Sequence, residues 1–262
     1  SAAARYDLQD SQLEEHTYTA QRTFDCVALR VGFSHIPGYL QDSGVHRGDD
    51  YRATAEVWLT AFLNLFIEAG LAAGQAVLIH AGASGVGTAA IQMAREAGAV
   101  VFATAGSEPK RDTCRELGAS LAIDYRNRDF AAEIMAHTSG KGVDLILDPV
   151  GGAHLGRNLS VLTPGGRLVL IGLMGGSRSE IDLGLVLGKS LRLIGSRLRH
   201  RPVSEKARIT RAFAERCWPL LVAGRLRPVI DRVFAIPQAE AAHAYVRENR
   251  TIGKVVLEIG PV

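Results

Sequence analysis

The stretch that decides the fold is residues 76–97, AVLIHAGASGVGTAAIQMAREA. Its leading apolar residues predict a strand, the glycine-rich segment a tight turn, and the apolar-periodic run from about Gly85 a helix. Gly82, Gly85 and Gly87 lack a Cβ, so the backbone of this turn can approach a pyrophosphate closely. The helix presents unpaired N–H groups and the positive end of its dipole to the same place. The stretch predicts a dinucleotide-phosphate cradle; a glycine-rich loop that only turns the chain is the alternative.

Strands and helices alternate on the carboxyl side of this stretch. Runs rich in apolar and β-branched residues predict strands, and the runs between them, with proline or glycine near their ends, predict helices. The predicted strands are residues 76–79, 100–105, 121–125, 143–152, 165–173 and 190–198. Repeated βα units with short loops require right-handed crossovers and a parallel sheet covered on both faces. The predicted fold class is therefore α/β, with a doubly wound parallel sheet of about six strands over residues 75–198.

The flanking segments are less regular. A buried helix is predicted from about Ala53 to Gly70, and residues 1–53 contain only one candidate strand, near 26–32. Residues 204–224 predict a long helix in two pieces, with a kink at Pro219. Two last strands, at 227–235 and 253–259, flank a helix at 237–249 and have no place in the predicted sheet. They require a partner sheet.

Composition excludes several classes of protein. The chain is 47% hydrophobic and 22% charged, which is ordinary for a globular domain, and no apolar run approaches the roughly 20 residues that span a bilayer. Cys26, Cys114 and Cys217 are far apart, which argues against a disulfide framework and structural zinc and favours a cytoplasmic location. The net charge of +3 fits an anionic cofactor but is too small to indicate nucleic acid.

Four strings carry a family resemblance: HAGASGVGTAAIQ, LDPVGG, GGRLVLIGLMGG and NRTIGKVVLEI. Together with the preceding helix AEVWLTAFLNLF, they resemble the medium-chain dehydrogenase/reductase superfamily in order and separation. Within it the chain is most similar to the zinc-independent NADPH:quinone oxidoreductases, nearest the tumour-suppressor-inducible group. The resemblance implies a Rossmann NADPH-binding domain over residues 61–224. It also implies a partial GroES-like catalytic domain formed by the chain ends, residues 1–60 and 225–262.

The preferred nucleotide is indicated by the end of the second strand. NAD-specific sites place an acidic residue near this point to hold the ribose 2′-hydroxyl. Here residues 104–107 contain no acid, and Lys110 and Arg111 follow within one turn, which favours the 2′-phosphate of NADPH. The resemblance implies that Lys110 and Tyr125, with Ser107 beside them, lie at that phosphate. A solvated surface lysine is the alternative interpretation of Lys110.

The resemblance also implies the remaining cofactor contacts. They are Ser84, Gly85 and Val86 at the pyrophosphate, Gly172, Leu173, Met174, Ser196, Arg197 and Leu198 on the nicotinamide side, and Asn249 and Lys254 beside the closing strand. A position in the hydrophobic core is the alternative interpretation of Met174. His80 is interpreted as a structural hydrogen-bonding residue, and Asp148 either contacts a ligand or caps a loop.

The implied reaction is hydride transfer from NADPH to a quinone or similar electron-poor acceptor. This reaction needs little acid–base assistance, so no catalytic residue and no metal ligand is assigned. Residues 1–53 do not match the family's catalytic domain, and Tyr18, Tyr39 and Tyr51 lie in no matching context. A non-catalytic NADPH-binding protein is therefore the second hypothesis.

An RNA-binding protein is the third hypothesis, resting only on the basic run Arg197–Arg201. No membrane partner is expected. Relatives pair the edge strands of two sheets, and an exposed apolar edge needs a cover. The sixth strand carries Leu191 and Leu193 on one face, so a homodimer is expected.

Overall fold

The computed structural model describes residues 27–30 and 51–258, with side chains from Glu56 onward. The first elements are β1 (Val27–Arg30) and α1 (Tyr51–Phe62), and α1 runs directly into a π-helical segment (Leu63–Glu68). The alternating part comprises β2 (Ala76–Ile79), α2 (Gly85–Glu96), β3 (Val100–Ala105), α3 (Glu108–Glu116), β4 (Leu121–Asp124), α4 (Phe130–His137), β5 (Val143–Asp148), a 3-10 turn (Gly152–His154), α5 (Leu155–Val161), β6 (Leu162–Leu170), α6 (Leu183–Gly188) and β7 (Arg192–Gly195). The chain then continues through α7 (Val203–Val222), β8 (Ile230–Ala235), a second 3-10 turn (Ile236–Gln238), α8 (Ala239–Arg247) and β9 (Lys254–Glu258).

Six strands form one parallel sheet in the order β4-β3-β2-β5-β6-β7. Strand β2 pairs with β3 on one side and with β5 on the other, so the winding of the chain reverses between β2 and β5. This is the strand order of a Rossmann sheet, in which ligands bind outside the carboxyl ends of the strands at the reversal point. The predicted doubly wound α/β fold is confirmed.

Both faces of the sheet are covered, because successive strand residues point to opposite faces. Val77 and Ile79 belong to the core formed with α1, α2 and α7, whereas Leu78 belongs to the core formed with α4 and α5. The predicted burial of the first helix is confirmed: Trp58 is 4% exposed and packs in the first of these cores.

The two ends of the described chain meet in a second parallel sheet, in the order β1-β9-β8. Val27 is the register partner of Val255, and Val233 is the partner of Val256. The last strands therefore have the partner sheet that their sequence required. The assignment of residues 1–60 and 225–262 to one domain and 61–224 to another stays a prediction.

The interpretation of residues 204–224 as a helix in two pieces is wrong. Helix α7 is continuous from Val203 to Val222, with Pro219 in its last turn. Proline removes the donor to the carbonyl four residues earlier. The helix nevertheless continues to Val222, and the N–H of its C-cap residue Ala223 bonds the Pro219 carbonyl at 3.0 Å.

Several element boundaries also differ from the predictions. Strand β6 begins at Leu162 rather than 165, because a register shift between Val143 and Leu145 accommodates the Pro-Gly-Gly segment. Strands predicted to extend to 152 and 198 end at Asp148 and Gly195. Helix α6 and the π-helical segment were not predicted. Cys26, Tyr18, Tyr39 and the outer residues of the strands predicted at 26–32 and 253–259 lie outside the described residues.

Within residues 27–30 and 51–258, no helix has both the length and the apolar content that crossing a membrane requires.

Candidate functional site

Most of the predicted site residues lie in the turns that follow strands of the larger sheet. Ser84 follows β2, Ser107 follows β3, and Tyr125 follows β4. The segments 172–174 and 196–198 follow β6 and β7. Because all six strands are parallel, these turns share the carboxyl edge of the sheet.

The phosphate cradle is built by the turn between β2 and α2. A Cβ on Gly87 would lie 2.6 Å from the carbonyl oxygen of Gly82 and closer still to that of Ala81, so only glycine fits there. Ser84 caps α2: its hydroxyl accepts a hydrogen bond from Gly87 N–H at 3.1 Å. Val86 is half-buried against the core. The close backbone turn and the helix N-terminus give this loop the form of an anion site.

The closing strand contacts the cradle. Gly253 N–H donates to the Ala83 carbonyl at 2.7 Å, and Ser84 and Gly253 form an isolated parallel bridge. The Lys254 side chain crosses Gly85, where an added Cβ would lie 2.5 Å from Lys254 Cε. Gly85 and Lys254 also border a shallow surface cleft next to Trp58. The turn with Ser84 and Gly85, predicted at the pyrophosphate, and Lys254, predicted beside the closing strand, are therefore brought together.

The tip of β3 lies close to polar side chains from the turn after β4. An added Cβ on Gly106 would lie 3.1 Å from the Tyr125 hydroxyl and 2.9 Å from Arg126 Nε. Tyr125 is 36% exposed. Arg126 was missed by the sequence reasoning, although a second cation directly after β4 was the available indication. The tip thus faces a hydroxyl and a guanidinium.

The two cations in the first turn of α3 have different surroundings. Arg111 lies 2.8 Å from Asp124 and also contacts Glu108. The Asn127 amide, which donates to Asp124 at 3.0 Å, holds the pKa of the Asp124 carboxyl below its usual range, although burial acts in the opposite direction. The Arg126 N–H and the Arg111 ion pair also lower this pKa. Arg111 is therefore held by carboxylates.

Lys110, by contrast, is held by Asn249. Its Nζ donates to the Asn249 carbonyl oxygen at 2.7 Å and lies 3.2 Å from Asn249 Oδ1. Asn249 follows α8 in the left-handed conformation, with φ of 53°. Two residues that were predicted at the cofactor from separate parts of the chain are thus in direct contact.

A buried polar chain runs beneath the edge. His80 Nδ1 lies 3.0 Å from Thr104 Oγ1, and its Nε2 lies 2.8 Å from Asn158 Oδ1. Asn158 Nδ2 donates to Asp148 at 2.9 Å, so its Oδ1 accepts, which places the His80 proton on Nε2. Burial lowers the pKa of His80 to about 3. The interpretation of His80 as a structural hydrogen-bonding residue is confirmed.

Asp148 caps the loop after β5. Its Oδ1 accepts hydrogen bonds from Val150 N–H at 2.6 Å and Gly151 N–H at 3.1 Å. Burial raises the pKa of Asp148 despite these bonds. Of the two interpretations left open for this residue, the structure supports loop capping.

The residues expected on the nicotinamide side have mixed surroundings. Leu173 and Met174 are 56% and 71% exposed, so a place in the core is wrong for Met174. Gly172 lies against the loop after β5, where an added Cβ would be 2.8 Å from the Pro149 carbonyl oxygen. Ser196 is buried, and Leu198 packs against the core.

The basic run after β7 is partly neutralised. Arg197 and Arg199 are exposed, whereas Arg201 contacts both Glu68 and Glu205. Arg201 therefore joins the π-helical segment to α7.

In the part of the chain that the structure describes, no group of three His, Cys, Asp or Glu side chains could hold a metal ion.

The sequence and the structure are both similar to known reductases. Residues 85–214 match the family model described as Zinc-binding dehydrogenase. The spectinabilin polyketide synthase system protein NorB of Streptomyces orinoci is 40% identical over 80% of this chain, which spans 9% of that protein. The 2-haloacrylate reductase of Burkholderia sp is 36% identical over 70% of this chain, which spans 55% of it.

Solved structures give the same result. A 2-haloacrylate reductase superposes with a TM-score of 0.71 at 31% identity, over 80% of this chain and 65% of that one. The Escherichia coli quinone oxidoreductase complexed with NADPH superposes with a TM-score of 0.69 at 25% identity, over 78% of this chain and 63% of that one. The described chain therefore shares its fold with these reductases over 78–80% of its length, and it spans 63–65% of theirs.

Proposed function

We propose that this chain binds NADPH at the carboxyl edge of its larger sheet and supplies the nucleotide side of a reductase. The observation that carries the proposal is the tip of β3. Residues 104–107 contain no carboxylate, and Tyr125 and Arg126 enclose the tip. Lys110 lies in the first turn of the following helix. A 2′-phosphate fits these partners, whereas the acidic residue that would favour NAD is missing.

The residues present fit the rest of the nucleotide. The glycine turn at Gly87 leaves no room for a side chain beside the backbone, as a pyrophosphate site requires. Ser84 and the N-terminus of α2 would bind the pyrophosphate, with Gly85, Val86 and Lys254 beside it. The segments 172–174 and 196–198 would orient the nicotinamide and keep water from it.

The acceptor is proposed to be a quinone or a similar electron-poor molecule. When bound, NADPH supplies the hydride for its reduction. A 2-haloacrylate reductase and a quinone oxidoreductase are both among the similar proteins. Within these reductases, we propose that the chain is nearest the tumour-suppressor-inducible quinone oxidoreductases, because the four sequence segments quoted above resemble that group. A non-catalytic NADPH-binding protein is the alternative, because the sequence of residues 1–53 does not match the family's catalytic domain.

The cofactor proposal is tested with Lys110→Ala. Losing a hydrogen bond between an ammonium and a phosphate costs about 1.5–3 kcal/mol. We therefore expect NADPH binding to weaken roughly 10- to 150-fold, with little change for NADH. Fluorescence titration of both nucleotides measures this. Lys141→Ala, in an exposed loop at the opposite edge of the sheet, is the matched control. Equal losses for both nucleotides would show that Lys110 does not contact the 2′-phosphate.

The acceptor proposal is tested by NADPH oxidation. We expect an ortho-quinone or a halogenated acrylate to accelerate the loss of NADPH absorbance in a reaction containing the full chain. If NADPH binds but neither acceptor accelerates its oxidation, the chain is the non-catalytic alternative.

We also propose that the chain forms a homodimer through β7. This strand is at the edge of the larger sheet, and Leu193 on it is 38% exposed. An uncovered edge with apolar side chains favours pairing with another strand. Sedimentation of the wild type and of Leu193→Lys tests this, and an unchanged dimer in the variant contradicts it.

A cytoplasmic location is proposed from the thiols. Cys114 and Cys217 are buried and free, as in proteins of reducing compartments. Fractionation of the host cell tests this location.

A further inference from the structure

The contact between Lys110 and Asn249 joins two elements that are far apart in the sequence. Lys110 lies in the first turn of α3, and Asn249 follows the end of α8. The Lys110 ammonium donates to the Asn249 carbonyl at 2.7 Å, with Asn249 Oδ1 at 3.2 Å. Both acceptors belong to one residue, so the contact fixes the direction of the lysine side chain as well as its position.

The backbone of Asn249 is shaped for this contact. Its φ is 53°, a conformation that asparagine adopts more readily than other residues with a side chain. Asn249 N–H bonds the Val246 carbonyl at 3.0 Å, which fixes the residue at the end of α8. The last turn of a helix is also its electronegative end, which favours a lysine ammonium there.

The acceptors that Asn249 offers are a carbonyl oxygen and an amide oxygen, and both are neutral. They orient the Lys110 ammonium by hydrogen bonding. A flexible lysine side chain loses conformational entropy when it is fixed. The contact with Asn249 already restricts the Lys110 side chain before a ligand binds, so that ligand binding costs less of this entropy.

We propose that Asn249 is a positioning residue for cofactor selectivity: it holds the ammonium of Lys110, whose helix begins directly after the tip of β3, where the 2′-phosphate would lie. The inference rests on the NADPH site proposed above. Asn249 acts on selectivity through Lys110, not by contacting the phosphate.

The contact also ties selectivity to the smaller sheet. Helix α8 packs on β8 and β9, where Ala242 is fully buried against Val255 and Leu257. The position of the Lys110 ammonium therefore depends on a helix that belongs to the other sheet.

The experiment compares Asn249→Gly and Asn249→Asp in the full chain. Glycine keeps the left-handed backbone and the carbonyl but removes Oδ1. We expect the ratio of NADPH to NADH affinity to fall roughly three- to tenfold, with the Kd for NADH within about twofold of the wild type. Aspartate places a carboxylate beside Lys110 and the phosphate, so the ratio should fall at least as far. Ser139→Gly, at another left-handed residue after α4, is the matched control and should leave the ratio unchanged.

A double-variant comparison separates the proposed route from others. With Lys110→Ala already present, Asn249→Gly should leave the ratio unchanged, because the positioned group is gone. A further fall there would show a direct phosphate contact and overturn the inference. An unchanged or increased ratio for Asn249→Gly alone, or equal losses for both nucleotides, would also overturn it. If Lys110→Ala itself leaves the ratio unchanged, the proposed NADPH site fails, and the inference fails with it.

Discussion

Asn158→Leu is expected to destabilise the fold strongly, because Asn158 is the middle of a buried chain. The residue is fully buried and bonds two groups, His80 Nε2 at 2.8 Å and the Asp148 carboxylate at 2.9 Å. Leucine has a similar branched shape but can replace neither bond. A lost bond to a carboxylate costs about 1.5–3 kcal/mol, and a buried donor without a partner costs about 1–3 kcal/mol. The expected loss in the free energy of unfolding is therefore about 3–5 kcal/mol.

Urea denaturation followed by circular dichroism measures this loss. The matched control is Asn127→Leu, whose amide bonds Asp124 at 3.0 Å at an exposed position and should cost less than about 1 kcal/mol. A loss below about 1 kcal/mol for Asn158→Leu, or one equal to that of the control, would show that His80, Asn158 and Asp148 do not form a stabilising hydrogen-bond network.

Two further predictions follow from the same region. Burial lowers the pKa of His80 to about 3 and that of His154 to about 4, so only the unfolded chain takes up these protons as the pH falls below 6.5. The free energy of unfolding should fall from pH 6.5 towards 4 by up to about 1.4 kcal/mol per pH unit and histidine. His154→Phe should make the free energy of unfolding depend less steeply on pH, because one fewer histidine takes up a proton on unfolding. Urea denaturation at several pH values measures this, and a pH dependence identical to that of the wild type would contradict it. Gly87→Ala should cost about 1–3 kcal/mol and weaken NADPH binding, measured by denaturation and titration, because the new Cβ meets backbone carbonyls. Gly156→Ala, with nothing within 4 Å of the new Cβ, should change stability by less than about 1 kcal/mol, and equal costs for both variants would be evidence against the steric argument.

The larger sheet could be predicted because its information is local. Each strand is a short apolar run, and each turn carries its own glycine or capping residue, as at Ser84 and Gly87. Parallel pairing then follows from the βα alternation, and it brings all the carboxyl-end turns to one edge. The position of Lys110 after an acid-free strand end was likewise readable from the sequence.

Other features depend on contacts between distant residues. The π-helical segment has no local pattern that separates it from α1, and α6 has no buried residue among its six. The enclosure of Gly106 by Arg126 required the pairing of β4 with β3. The bond from Lys110 to Asn249 spans 139 positions and was not predicted, although each residue had been assigned to the site.

The pairing of β1 with β9 has a consequence for the order of folding. It joins Val27 to Val255, whereas β2 to β7 form within one stretch of chain. Closing a longer loop costs more chain entropy, and that cost falls once the segment between the ends is compact. The six-stranded sheet is therefore expected to assemble first, and the smaller sheet afterwards. Under mild denaturant, the backbone amides of β9 should exchange with deuterium before those of β2 and β5, so that the smaller sheet opens while the larger sheet is still intact.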